Sequence, residues 1–251
     1  MEKNNEKNFI YLILFGLLIF ANCSQSQDLK SNDSASVKLQ KLNMETLNFD
    51  EQLKLFESLG YKLNSGISKE VIFSEIQKYD LTIKDADSIF KESKFERLYY
   101  YLGWNYSNNG RKYYTNNCVW YDLEFIDPSS EYITFMKRMG EITDGELTFT
   151  EISLRVDEKN YEWIDFTVNG IKKNWKLAQV RYIDDSFFQR FSYFPKEFKT
   201  KGRYTYYDDG GQQFVIDYAT DDEQKQFIEK TGLKRKWLGV GHHFSEHNPK
   251  K

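Results

Sequence analysis

Residues 164–177 read IDFTVNGIKKNWKL, with Asn169-Gly170 at the centre. Ile164, Phe166 and Val168 alternate with polar residues on one side of that pair, and Ile171, Trp175 and Leu177 return on the other. A period of two marks a half-buried strand. A type I′ turn needs positive φ at both central residues, which Asn-Gly supplies at least cost. The stretch is therefore a β-hairpin, and a hairpin makes its sheet antiparallel. Working outward, Leu147 and Phe149 alternate in one phase and Ile152, Leu154 and Val156 in the other, so a β-bulge is expected near Glu151. Residues 157–160 (DEKN) form the turn between that strand and the hairpin.

The same reasoning extends to the C-terminal side. A short helix is expected near 185–194, then strands at 203–207 and 212–219 joined through Asp-Asp-Gly-Gly. Thr220 and Glu223 have the spacing of a capping box for a helix through Lys230, closed by Gly232. Towards the N-terminus, Val119, Tyr121, Leu123 and Phe125 predict a strand over 118–126, and 107–117 reads as a polar loop. Asp127-Pro128 opens a helix that Gly140 is expected to end. Residues 49–102 have helical spacing. Leu53, Phe56 and Leu59 precede Gly60, Ser68 caps a stripe of Val71, Ile72 and Ile76, and a third segment breaks near Ser93 and ends at Gly103. Strands mostly neighbour strands, so the fold class is α+β, with a helical N-terminal part (about 49–102) packed on a mainly antiparallel sheet with a few interspersed helices.

The chain opens differently. Phe9–Ala21 (FIYLILFGLLIFA) is apolar throughout and stops at Asn22-Cys23. As a helix it spans about 20 Å, short of the roughly 30 Å hydrocarbon core, so it suits a secretory h-region rather than a permanent span. A buried core helix is set aside because polar chain, not more fold, follows. The arrangement resembles the bacterial lipoprotein signal peptide through Phe20-Ala21-Asn22-Cys23. That resemblance implies processing before Cys23, lipid on Cys23, and a bacterial cell-envelope location facing periplasm or cell surface. Residues 1–22 are then the signal peptide. Residues 23–46 are too polar to offset the entropy of ordering and are expected to be a flexible tether. Residues 47–251 are expected to form a single α+β domain with a disordered tail from about 241.

Function is less legible. The net charge is −3, with no basic cluster, so no nucleic-acid partner is expected. With Cys23 lipidated, Cys118 stands alone in a strand and reads as a buried structural thiol. His243-Phe244-Ser245-Glu246-His247 matches the H-x-x-E-H zinc pattern, but only Asn248 to Lys251 follow it and no third ligand is announced. All three histidines, His242 included, fall in this tail, which leaves Cys118 no obvious base. No metal and no cofactor is expected. The acidic doublets Asp184-Asp185, Asp208-Asp209 and Asp221-Asp222 lack calcium-loop spacing and read as caps and turns. The 38 Phe and Tyr residues (20 and 18) are read mainly as core packing. The expected function is a non-catalytic, lipid-anchored, protein-binding module, one form of which is an immunity or inhibitor protein. The alternatives are an envelope hydrolase using paired carboxylates and a carbohydrate-binding lipoprotein.

Overall fold

The structure is a computed structural model that describes residues 47–79, 90–91, 93–107, 111–122, 128–178, 185–208, 210 and 213–239. The expected signal peptide, Cys23, the tether and the histidine tail lie outside the described residues.

The N-terminal helices start where local hydrogen bonding starts them. Helix α1 (Phe49–Ser58) is capped by Asn48, whose Oδ1 accepts from Glu51 N at 3.0 Å while Glu51 Oε2 accepts from Asn48 N at 2.9 Å. It buries Phe49, Gln52 and Phe56 and turns away at Gly60, at φ 95°. Helix α2 (Lys69–Tyr79) follows Ser68, whose Oγ accepts from Val71 N, and it buries Ile72 and Ile76. A turn at 93–95, with Lys94 at φ 50°, precedes α3 (Glu96–Gly103), which buries Leu98, Tyr99 and Leu102. Helix α4 (Pro128–Glu141) carries Phe135, Met136 and Met139 inward. It does not end at Gly140. A Cβ there would lie 2.9 Å from the Phe149 ring, so this glycine permits close helix–strand packing and is no terminator. Helix α5 (Asp185–Phe191) stands where the short helix near 185–194 is expected, and a further short helix, α6 (Phe194–Phe198), follows it. Helix α7 (Asp221–Thr231) has the Thr220–Glu223 capping box and closes at Gly232.

Among the described residues all strand pairing is antiparallel. The strands are β1 (Asn105–Ser107), β2 (Arg111–Tyr113), β3 (Cys118–Asp122), β4 (Phe149–Val156), β5 (Glu162–Val168), β6 (Ile171–Lys176), β7 (Arg203–Asp208), β8 (Gln213–Ala219) and β9 (Lys236–Trp237). They form a β1-β2 hairpin, a β3-β8-β7-β9 sheet and a β4-β5-β6 sheet. The hairpin corrects the reading of 107–117 as loop, for Arg111-Lys112-Tyr113 shows no apolar alternation and only backbone pairing reveals it. The bulge in β4 is present, with the register shifting between Thr150 and Ser153 and Glu151 at φ 51°. Asn169 and Gly170 turn the β5-β6 hairpin at φ 47° and 80°.

The period of two in the four-stranded sheet divides the interior. Val119, Tyr121, Phe214 and Ile216 join one core with α4, α5, Ile164, Phe166 and Val168. Cys118 and Val215, one position out of phase, join another with α1, α2, α3 and Phe227 of α7. Each core is built largely of rings in edge-on and tilted contact. Phe56, edge-on to Tyr61 and Phe95 and stacked with Tyr99, is one set, and Phe187, Phe188 and Phe191 with Trp175 is the other.

Candidate functional site

Two places gather chemistry-bearing side chains: an interior ionic cluster and the outward face of the β4-β5-β6 sheet. The first begins with Asp217 of β8, which shares the parity of Val215 and so points into the α1–α3 core. Cys118 and Thr205 flank it in register on β3 and β7. Arg235 Nη1 donates to Asp217 Oδ2 at 2.5 Å and to Tyr61 OH at 2.8 Å. Tyr61 OH and Tyr99 OH both donate to the same carboxylate oxygen. Gln224 of α7 holds the guanidinium from behind, its Oε1 accepting from Arg235 Nε and its Nε2 donating to Arg235 O at 2.7 Å.

Asp217 is 3 % exposed and Arg235 4 % exposed. Burial pushes the Asp217 carboxyl above its usual range, against the pull of Arg235 and the two phenols. Burial also works against the charge on Arg235, but Tyr61 and Asp217 outweigh it and hold that group charged. Burial pushes Tyr61 and Tyr99 well up as well. Perturbed groups of this kind mark reactive sites when they line a cleft. Here the partners close over one another, and the cluster ties the C-terminal segment, α7 and the N-terminal helices to the sheet. Cys118 belongs to the same interior. Its side chain is fully buried, as expected, and desolvation, then Asp217, pushes the thiol well up.

Arg138 of α4 is a second buried cation. Its guanidinium donates to Thr115 O at 2.9 Å and Cys118 O at 3.0 Å and lies 3.8 Å from the Tyr113 ring. Its Nη1 donates to Glu141 Oε2 at 2.5 Å and to Asn116 Oδ1 at 3.2 Å, and these bonds fix the approach of α4 to β3.

The outward sheet face is the accessible place. Register sets Arg155, Trp163 and Lys176 in one row, Ser153, Asp165 and Asn174 in the next, and Thr167 with Lys172 beyond. Arg155 Nε donates to Asp165 Oδ2 at 2.6 Å, and its guanidinium lies 5.0 Å from the Trp163 ring. Lys176 Nζ sits 3.0 Å from the Tyr161 ring centre. The turn below is tied by Asp157, whose carboxylate accepts from Lys159 N, Tyr161 N and Trp163 Nε1. Those bonds, led by the one from Tyr161 N, hold the Asp157 carboxyl below its usual range. Beside this row lies a shallow depression of about 340 Å³ whose rim includes Glu151, Asp165, Thr167, Lys172 and Asn174. The bulge at Glu151 turns its carboxylate to accept from Thr167 Oγ1 at 2.8 Å.

Most of the residues singled out in the sequence lie outside the described residues: Cys23, His242, His243, Glu246 and His247, and with them Asp184 and Asp209. Asp221 and Asp222 stand in the first turn of α7, where carboxylates favour the helix dipole. Among the described residues no group of three or more His, Cys, Asp and Glu is placed to hold a metal ion, and no helix is long and apolar enough to cross a membrane. Sequence reasoning missed the Asp217–Arg235 pair. The one available signal was an aspartate interrupting the apolar run Phe214-Val215-Ile216. Comparison with protein-family models, curated proteins and solved structures returns no match to this chain.

Proposed function

We propose that this is a lipid-anchored bacterial envelope protein, attached through Cys23, whose folded part binds another protein and performs no catalysis. The anchor reading rests on the apolar run Phe9–Ala21 ending at Cys23. The observation that carries the binding reading is the outward β4-β5-β6 face. It joins Arg155, Tyr161 and Trp163, residue types that dominate interface energetics, to a shallow polar depression. Small-molecule sites are enclosed and mostly apolar, and this one is neither. The aromatic faces that would stack on sugar rings carry the chain's own cations instead, which disfavours carbohydrate as the ligand. An immunity or inhibitor protein that blocks an enzyme or toxin at the envelope is the form this reading takes.

Two measurements test it. Radiolabelled palmitate fed to expressing cells should label the chain and fail to label Cys23→Ser. Immobilised residues 44–251 should retain one envelope or secreted protein, and a Trp163→Ala, Lys172→Glu variant with an unchanged melting curve should lose it. Retention that ignores these substitutions would move the interface elsewhere, and no retention at all would defeat the reading. A hydrolase is the second reading, because Glu151 and Asp165 line the same depression. Asp165 is already engaged by Arg155 at 2.6 Å, so that reading requires cell-wall or glycan hydrolysis that Glu151→Gln abolishes.

A further inference from the structure

No further inference is drawn: the strongest candidate, the depression on the outward face of the three-stranded sheet where Glu151 and Lys172 stand without an ion-pair partner among the described residues, is an unpartnered sheet face and nothing in the structure shows what covers it.

Discussion

Asp217 has two positions in the structure at once, one in a strand and one in an ionic cluster, and only the first was readable. In the run 212–219 its parity is set by the alternation of Phe214 and Ile216 against Val215, so its direction follows from sequence. Its partners do not, because Tyr61 and Tyr99 precede it by 156 and 118 positions and Arg235 follows by 18. A buried pair stabilises little against an apolar replacement, yet breaking one side of it leaves an uncompensated interior charge. Arg235→Met alone is therefore expected to cost about 3–5 kcal/mol. Asp217→Asn, Arg235→Met together should cost clearly less than the sum of the two single changes. Urea denaturation of the four proteins checks this, and strict additivity would show that the two groups do not interact. Gly103 is a second position where one atom decides. A Cβ there would meet Trp120 N of β3 at 2.6 Å. Gly103→Ala should destabilise by about 1–3 kcal/mol through forced separation of α3 from the sheet. An unchanged denaturation midpoint would mean the backbone yields freely. The sequence presented Gly103 as a helix end, and its role as a packing contact depends on a strand that comes later in the chain.

Among elements, those governed by short-range chemistry were legible. Asn169-Gly170, the Thr220–Glu223 box and the phase slip at Glu151 each concern residues within a few positions of one another, and each stands where its spacing placed it. Strands defined only by what they pair with were not. Lys236–Trp237 is a strand because Thr205 and Tyr206 lie beside it, and nothing local in it says so. The 157–160 turn is local and carries a pH dependence. Asp157 accepts three hydrogen bonds when ionised, and its folded carboxyl lies below the unfolded value. Its stabilisation is thus present above the unfolded aspartate range, near pH 4, and is lost as pH falls through the lowered folded value. The indole N–H resonance of Trp163, which donates to Asp157 at 2.9 Å, should shift over that acid range. In Asp157→Asn the shift should vanish. An identical titration in the variant would assign it to another carboxylate.

For the whole molecule, the consequence of alternation in β3 and β8 is two cores divided by one sheet. Phe56 belongs to the core of the N-terminal helices, and Phe188 to the core shared with β4-β5-β6. Both rings are fully buried, and truncation of either to alanine should cost about 3–5 kcal/mol. The two losses should differ in where they are felt. Proteins open in contiguous units, and a cavity weakens first the unit that contains it. In Phe56→Ala, amide exchange should quicken across 49–79 and 96–103 while 162–176 keeps its protection. In Phe188→Ala the order should reverse. The sheet between them need not transmit the damage, because its strands hold each other by backbone pairing independent of either core. Hydrogen exchange read by mass spectrometry separates the cases. Equal acceleration in both regions, in both variants, would show that the ionic cluster and the shared strands couple the two cores into one cooperative unit.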